Sequence, residues 1–249
     1  MKDIPEGMSS AVADKVGAAL EAKLRAETEK AIAERDEALE RVTRSKILTK
    51  TEQMQFEQNE QKFREWKASD LFAHVYYFGD MVCEASVEKC MTILDLWDRT
   101  EPGCEITLVF NSPGGSVIDG LALYDHIQMI RRHGHKVTTL AEGMAASMAG
   151  ILLQSGEVRA IGNEAWVLIH QVQAAMMGTM GQIEDRMKML NRIQERVLDI
   201  FAAKAEEARI RGTAAEALTK EQFKERWERT DWWLSSEDCL RYGVVDEVR

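Results

Sequence analysis

The sequence is poor in the residues that mark disulfide-rich, zinc-binding and membrane proteins. Its 249 residues include only four cysteines, and no two of them form a Cys-x-x-Cys pair. This usage argues against a disulfide framework or a metal site and favours a reducing compartment. No stretch reaches the apolar length of a membrane span, and residues 1–10 lack the apolar core of a signal peptide. We therefore expect a cytoplasmic protein that does not act at a membrane.

Positive charge is also in short supply. The chain has 32 Lys and Arg residues against 42 Asp and Glu residues, which gives a net charge of −10. An excess of negative charge disfavours binding to the phosphate backbone of nucleic acids or to an anionic membrane surface. We expect neither as a partner, and the length suffices for one full domain plus an extension.

Residues 1–68 differ in composition from the rest of the chain, and we expect them to form a separate domain. Strong helix formers dominate residues 10–70, which contain no proline. Apolar residues recur at i, i+4 spacing and predict a long, charged, amphipathic helix, broken near residues 45–51: Val12, Val16, Leu20 and Leu24. Such a helix needs a partner helix or a homo-oligomer to cover its apolar face. A solvated, partly disordered tail is the alternative.

Residues 69–249 alternate between strand and helix patterns, which predicts an α/β domain of repeated strand–strand–helix units. The predicted strands cover residues 74–79, 106–110, 136–140, 158–161, 166–169 and 244–248. The predicted helices cover residues 87–98, 117–132, 149–153, 180–208, 219–230 and 235–241.

Ser147 lies in a run of small residues between a predicted strand and a predicted helix. Gly143 permits a tight turn there, and the neighbouring alanines allow close backbone approach. A serine at such a turn can expose its hydroxyl, and the following helix adds the positive end of its dipole, which favours an oxyanion. Tight packing is the commoner role of an Ala-Ala-Ser turn, so the function of Ser147 depends on the residues that accompany it.

Two further features accompany this serine. Gly114 and Gly115 follow a strand, and glycines in such a turn can leave backbone N–H groups facing a ligand, although a simple turn is the alternative. His170 ends a predicted strand and is the leading candidate for a general base. Of the remaining histidines, His74 begins an apolar strand and is expected to be a half-buried structural residue. The other three are expected to be solvated: His126, His133 and His135.

A histidine base in a serine hydrolase is held by a buried carboxylate. Asp231 is a candidate, because it precedes Trp232 and Trp233, whose rings could exclude water from it. An ordinary loop aspartate before a helix is equally consistent with this pattern.

Four motifs, in this order and spacing, resemble the proteolytic subunit of the Clp protease family. They are Asn111-Ser112-Pro113-Gly114-Gly115, Gly143-Met144-Ala145-Ala146-Ser147-Met148, Leu168-Ile169-His170-Gln171, and Glu228-Arg229-Thr230-Asp231 with Leu234-Ser235 and Tyr242-Gly243-Val244-Val245-Asp246. The resemblance covers residues 69–249. It implies a crotonase/ClpP-like α/β spiral of β-β-α units with a long handle helix from Gly181 onward.

The resemblance also implies a Ser–His–Asp peptidase that acts on polypeptides without a metal or cofactor. Carried over residue by residue, Ser147 is the nucleophile, His170 the general base and Asp231 the orienting acid. The backbone N–H groups of Gly115 and Met148 match the oxyanion hole of the family. Homo-oligomeric rings, commonly of seven subunits and stacked, are implied as the assembly.

The chain departs from the family in several places. Val172 stands where the family usually has proline, and residues 205–218 are extra sequence before Asp231. Residues 1–68 have no counterpart in the typical subunit, whose short N-terminus meets an ATP-driven unfoldase. Long charged helical extensions on Clp-like domains suggest a phage capsid-maturation protease in the host cytoplasm, with the extension contacting capsid or scaffold proteins.

Three alternatives share parts of this evidence. A crotonase-type acyl-CoA enzyme would have the same fold and oxyanion hole. A serine–lysine peptidase would use Lys188 or Lys204 as its base. A non-enzymatic assembly protein would use the fold as a ring-forming scaffold and the helical extension as its functional part.

Overall fold

The computed structural model describes residues 10–67, 69–228 and 230–249. The chain divides into two compact units, of which the first ends at Trp66 and the second spans Lys67–Arg249. The sequence-based boundary, between residues 68 and 69, falls two residues further along the chain. Within the described residues, every helix is too short or too polar to cross a membrane.

The described part of the first unit is a single α-helix, α1 (Ser10–Lys67), of 58 residues. Every side chain described in it, from residue 14 to residue 65, is exposed. Ion pairs at i, i+4 spacing lie along its surface: Lys30–Glu34, Arg41–Glu37 and Arg64–Glu60. A charged helical extension is therefore confirmed.

The predicted break near residues 45–51 is wrong, because α1 continues through this stretch. The segment contains neither proline nor glycine. The hydroxyl of Thr49 donates to the carbonyl of Ser45 at 3.0 Å, and that of Thr51 donates to the carbonyl of Ile47 at 2.9 Å. These polar side chains bond to the preceding turn of their own helix, so they do not interrupt it.

The second unit alternates strands and helices, as the sequence predicts. Its described strands are β1 (Val75–Phe78), β2 (Glu105–Ser112), β3 (Lys136–Ala146), β4 (Val158–Ile161), β5 (Trp166–Ile169), β6 (Trp232–Leu234) and β7 (Glu247–Val248). Its described helices are α2 (Glu84–Thr100), α3 (Val117–Arg132), α4 (Met148–Leu153), α5 (Met180–Arg211), α6 (Lys220–Trp227) and α7 (Ser236–Tyr242).

The strands form one mixed sheet. Five of them lie in the order β1-β2-β3-β4-β7, and all of their pairings are parallel. β5 is parallel to β3, and β6 is antiparallel to β5. The crossovers between parallel strands carry the helices, as parallel pairing requires. The mixed α/β fold expected from the sequence is thereby confirmed.

β3 extends further than the sequence predicts. We expected the strand to end at residue 140 and the chain to turn at Gly143, but the strand continues to Ala146. Thr138–Ala141 pairs with β4, and Met144–Ala146 pairs with β5. Gly143, with a φ of 70°, lies between the two paired segments. It therefore bends a strand that changes partners, rather than ending one.

A continuous apolar core lies between the sheet and the helices. α2 packs against α3, and α4 packs against both α3 and β3. The core residues of β2 and α3 are fully buried: Ile106, Leu108, Phe110, Leu123, Ile127 and Ile130. All four cysteines are free thiols, and Cys90 and Cys239 are buried in this core.

A buried ion pair connects β4 to the C-terminal strand. Arg159, 1% exposed, donates to both carboxylate oxygens of Asp246, at 3.0 and 2.7 Å. It also donates to the side chain of Gln154 at 2.7 Å and to the carbonyls of Gly243 and Val244. Burial alone would raise the pKa of Asp246, but the hydrogen bonds and charge of Arg159 outweigh it and lower that pKa.

Three histidines expected to be solvated instead pair with acidic residues of α2. His126 lies 3.1 Å from Asp95. The Asp98 carboxylate lies 2.9 Å from His133 Nδ1 and 3.0 Å from His135 Nε2, and the His135 side chain is fully buried. The hydrogen bond from His133 lowers the pKa of Asp98. The prediction is wrong for His126 and His135, because it considers only the polar end of α3, whereas the carboxylates come from the neighbouring helix. His133 is exposed, as predicted, although it pairs with Asp98.

Candidate active site

Ser147 stands between β3 and α4 in a conformation that few residues adopt. Its φ is 55° and its ψ is −121°, a region that costs a residue with a side chain about 1–3 kcal/mol. Its amide donates to the carbonyl of Leu168 at 2.9 Å, and its carbonyl accepts from Gly150 at 3.0 Å. Its hydroxyl does not cap α4. The fold therefore holds the backbone of Ser147 in a strained turn and leaves the hydroxyl available.

The Gly114–Gly115 pair lies directly against this turn. Both glycines have a positive φ, of 85° and 151°. A Cβ on Gly114 would lie 2.5 Å from the carbonyl oxygen of Ala146 and 2.9 Å from the amide nitrogen of Met148. A Cβ on Gly115 would collide with the carbonyl oxygen of Val82. Only glycines allow this loop to approach the serine turn so closely.

The last two residues of β2, which directly precede this loop, fix its position. The side chain of Asn111 accepts from the amide of Met144 at 3.3 Å and donates to the hydroxyl of Tyr77 at 2.9 Å. The buried hydroxyl of Ser112 donates to the carbonyl of Asp80 at 2.6 Å and accepts from the amide of Gly114. The polar residues of the first motif thus hold the loop between β1 and β3.

Two backbone amides near Ser147 are candidates for an oxyanion hole. The bridge between Val82 and Gly115 uses the carbonyl of Gly114 and the amide of Ser116, which leaves the Gly115 N–H out of it. Met148 is the first residue of α4, and its N–H precedes the hydrogen-bond ladder of that helix. Both residues line the same cavity as Ser147.

His170 directly follows β5. Its Nδ1 lies 2.6 Å from the carbonyl oxygen of Gln171. Because a carbonyl oxygen can only accept, Nδ1 carries the proton in this contact and Nε2 of the neutral ring is left as an acceptor. That tautomer is the one a general base toward serine requires.

Ser147 and His170 line one cavity of about 320 Å³. Its polar lining includes the candidate oxyanion residues, and the rest of its wall is mostly apolar: Val117, Ile151, Ile169, Val197, Phe201 and Trp227. The structure therefore brings together four of the five residues that the sequence analysis selects.

Asp231, the fifth, lies beside this group without joining it. It is exposed, and it lines a second depression together with His170 and Trp227. β6 pairs with β5 so that Trp232 faces Ile169. The next pair in this register would be Asp231 with His170. The antiparallel pairing thus leads Asp231 toward the imidazole, although His170 Nδ1 bonds to Gln171.

The lysines considered as alternative bases lie elsewhere. Lys188 is exposed and pairs with Asp185 at 3.3 Å. Burial lowers the pKa of Lys204, but its ammonium pairs with Glu207 at 2.7 Å. Neither lysine lines the cavity that contains Ser147. The described residues also hold no group of three or more His, Cys, Asp and Glu side chains suited to a metal ion.

The sequence analysis does not identify the apolar wall of the cavity. Val197 and Phe201 come from one face of α5, and Trp227 comes from α6. The i, i+4 spacing of Val197 and Phe201 signals a buried face, but nothing local signals that this face borders a serine 50 or more residues earlier. Trp227 lines both depressions, and its buried indole N–H has no acceptor among the described residues.

Comparison with known proteins identifies the family to which the chain belongs. The family model described as Clp protease matches residues 70–249. An ATP-dependent Clp protease proteolytic subunit 2 of Tropheryma whipplei is 36% identical over 164 residues, which is 65% of this chain and 82% of the relative. A proteolytic subunit 1 of Corynebacterium glutamicum is 36% identical over 180 residues, 70% of this chain and 78% of the relative. A proteolytic subunit of Bacteroides fragilis is 28% identical over 176 residues, 70% of this chain and 78% of the relative. The chain thus belongs to the Clp protease family, and its second unit is a serine peptidase of the ClpP type.

Proposed function

We propose that the chain is an endopeptidase that hydrolyses polypeptides through Ser147, His170 and Asp231. The observation that supports this most is the strained turn at Ser147, which lies in one cavity with His170 and with the amides of Gly115 and Met148. A packing serine does not require a strained backbone beside a base and two candidate oxyanion donors.

The reaction follows from these positions. His170 Nε2 takes the hydroxyl proton of Ser147 as the oxygen bonds to the peptide carbonyl carbon. The negative charge on the carbonyl oxygen is stabilised by the N–H groups of Gly115 and Met148, each worth about 3 kcal/mol. The imidazolium then gives its proton to the leaving amine, and an acyl-enzyme remains. Water, activated by the same base, adds to the acyl carbon and releases the second product and the free serine.

Asp231 acts through His170. For Asp231 to orient the ring, the Nδ1–H must turn from the Gln171 carbonyl to the Asp231 carboxylate. The register of β5 and β6 supports this assignment, because it leads the two residues to facing positions. A carboxylate there stabilises the imidazolium more than a carbonyl does, because it carries a full charge.

The assembly we propose is a homo-oligomeric ring of seven subunits, stacked through α5. The first half of α5 supports this: its side chains are largely exposed, and the buried residues of the helix begin at Val197. Met180, Met187 and Met189 are 74%, 47% and 52% exposed. Methionines of this exposure suit a surface that a second subunit covers.

The narrower setting we propose is capsid maturation by a phage-encoded protease in the host cytoplasm, with α1 contacting capsid or scaffold proteins. The support is the 58-residue charged helix that precedes the peptidase unit. The relatives are named as ATP-dependent subunits, and an ATP-driven unfoldase as a partner of this chain is a further proposal. Stimulation of casein degradation by ATP and a cognate unfoldase would separate the two settings.

The test of the triad combines a fluorophosphonate probe with a peptide-hydrolysis assay. The probe labels a nucleophilic serine with loss of fluoride. We expect labelling of the parent chain, no labelling of Ser147→Ala, and hydrolysis reduced at least about 10³-fold in that variant. Ser45→Ala is the matched control, because Ser45 is an exposed serine of α1 that does not line the cavity. Unchanged hydrolysis in Ser147→Ala would refute the proposal.

The same preparation distinguishes the remaining alternatives. An assembly protein without activity would form particles but take no probe. A crotonase-type enzyme would bind an acyl-CoA in a calorimetric titration, whereas we expect no such binding.

A further inference from the structure

α1 carries an apolar row that the described structure leaves uncovered. Ile32, Leu39 and Val42 are 52%, 60% and 50% exposed. They are spaced by seven and then three residues, and Thr49 follows Val42 by seven. This spacing places all four on one side of the helix. A long helix in water gains most of its stability by packing such a side against another helix.

The charges of α1 are divided into two blocks that meet in the middle of the helix. From Glu27 to Glu40 there are six carboxylates and two basic side chains, a net charge of −4. From Arg41 to Lys50 there are four basic side chains and no carboxylate, a net charge of +4. The blocks are equal and opposite, so each is complementary to the other.

We propose that α1 pairs with α1 of a second copy of this chain, antiparallel, about a two-fold axis between Glu40 and Arg41. In this pairing the numbers of two facing residues add up to 81, as 40 and 41 do. Residues 31–40 of each copy, which carry a net charge of −3, then lie along the basic block of the other copy. A parallel pairing in register would instead set each block against its own copy, where like charges repel.

The apolar row is self-complementary about the same axis. Leu39 of one copy faces Val42 of the other, and Ile32 faces Thr49. Two turns further out, Arg25 faces the ring of Phe56, a cation–π pair. The charge blocks and the apolar row thus select the same register independently. Two copies of each contact form, as a two-fold interface requires.

One like-charge pair lies within this row, Arg35 with Lys46. Both side chains are long enough to extend their charged ends out of the interface. Glu34 and Asp36 flank Arg35 in the chain and lie close to Lys46 of the other copy. The pair therefore has carboxylates within reach on each side.

Cysteine cross-linking of the full-length chain tests the direction of the pairing. Two chains are co-expressed in a Cys83→Ser background, one with Ile32→Cys and the other with Thr49→Cys, and are treated with a short bis-maleimide. Antiparallel pairing links residue 32 to residue 49 and leaves 32–32 unlinked, because two copies of residue 32 would lie about 26 Å apart along the helix. Parallel pairing gives 32–32 and 49–49 links only. Parallel links, or no links between copies of α1, would overturn the proposal.

Charge reversal tests the cause. The first variant replaces three acidic residues by lysine: Glu34, Glu37 and Glu40. Both blocks are then positive, and we expect the yield of the 32–49 cross-link to fall at least 10-fold. The second variant replaces only three basic residues by glutamate: Arg41, Arg44 and Lys46. Both blocks are then negative, and we expect the same fall in yield. The variant with all six replacements exchanges the blocks and should recover the yield. Failure of this recovery, with circular dichroism showing an intact helix, would contradict the electrostatic register. Because this inference does not depend on the peptidase assignment, hydrolysis measured in the same samples reports on the active site separately.

Discussion

The backbone at Ser147 stores strain at the point where the chemistry is proposed to occur. A φ of 55° with a ψ of −121° is accessible to glycine at little cost but is unfavourable for residues with a Cβ. The turn persists because its amide and carbonyl are both bonded and because Gly114 packs against it. Stability at this residue is therefore given up in favour of a fixed hydroxyl position.

A glycine at this position should release the strain. We expect Ser147→Gly to unfold at higher urea than Ser147→Ala, by about 1 kcal/mol in free energy of unfolding, while both variants lose hydrolysis. Equilibrium urea titrations monitored by circular dichroism measure the difference. A glycine variant less stable than the alanine variant would mean that the strain is absent in solution.

The Arg159–Asp246 pair should be costly to break from one side. Asp246→Ala leaves a guanidinium that is 1% exposed without its carboxylate. We expect a loss of about 3–5 kcal/mol in unfolding free energy, because an unpaired charge remains buried. Glu247→Ala is the matched control, since its partner Arg249 is 48% exposed and an exposed pair contributes little. Equal losses in both variants would contradict the role given to burial.

The lowered pKa of Asp246 sets an acid limit on stability. Its pKa is lower in the folded chain than the ordinary 3.8, so the folded state favours the ionised form. This contribution is present above about pH 4 and is lost as the pH falls through the folded pKa. We expect urea midpoints measured from pH 6 to pH 3 to fall less steeply in Asp246→Asn than in the parent. Identical slopes would show that another carboxyl group governs acid unfolding.

At the scale of elements, Gly120 in the middle of α3 packs against Met148 of α4, whose amide belongs to the proposed oxyanion hole. A Cβ added to Gly120 would lie 2.7 Å from Cε and 2.8 Å from Sδ of Met148. The thioether is flexible, so the side chain can move, but its backbone amide is a proposed oxyanion donor. The absence of a side chain at Gly120 thus leaves room for Met148 and keeps the Met148 N–H in its place at the start of α4.

We expect Gly120→Ala to lower kcat about 10-fold to 100-fold with a smaller change in KM, because displacement of an oxyanion donor acts on the transition state. Gly181→Ala on α5 is the control, since nothing lies within 4 Å of its added Cβ. Steady-state kinetics on a peptide substrate measure both constants. A change confined to KM would show that the substitution disturbs binding and leaves the amide in place.

Elements with local signals at both ends are predictable from the sequence. α3 has the bounds expected, since Ser116 caps its start and Gly134 follows its end. β6 is not predicted, because three residues carry no period of their own and the strand exists by pairing with β5. β7 is shorter than expected, because the amides of Val244 and Val245 bond to the carbonyl of Cys239 at the end of α7.

The residues of the candidate site also divide into those that local sequence signals mark and one whose position depends on long-range pairing. Ser147, His170, Gly115 and Met148 each lie at a strand or helix end that the sequence marks, and they converge on one cavity. The placement of Asp231 depends on the register of a strand pair that no local pattern fixes. The motif resemblance can name this aspartate, but its contact with His170 requires the long-range pairing to form.

At the scale of the whole molecule, the second unit should be stable without the first, because the residues of its core all lie between Tyr76 and Val245. We expect deletion of residues 1–68 to change the Tm of the second unit by less than about 2 °C. Differential scanning calorimetry of the full and shortened chains provides the comparison. A large decrease in Tm would show that the helix stabilises the peptidase unit.

The antiparallel pairing constrains the symmetry of the particle. Subunits of one cyclic ring are related by rotations about a single axis, so their helical extensions all point the same way along it. A two-fold pairing of these helices requires a copy that points the opposite way. The extensions would therefore connect two oppositely directed rings, a contact additional to the stacking proposed through α5. After correction for the mass of the deleted residues, mass photometry should count fewer subunits per particle when residues 1–68 are removed. An unchanged number of subunits would show that the extensions are not needed to hold rings together.

The position of Arg159 in the chain has a consequence for biosynthesis. Three groups that surround its guanidinium, on residues 243, 244 and 246, come 84 to 87 residues later. A ribosome delivers β4 long before it delivers these acceptors, and until then the guanidinium must stay hydrated. The sheet around β4 therefore cannot close while the nascent chain is short. Closure of this part of the core should therefore wait until residues 243–246 have been synthesised.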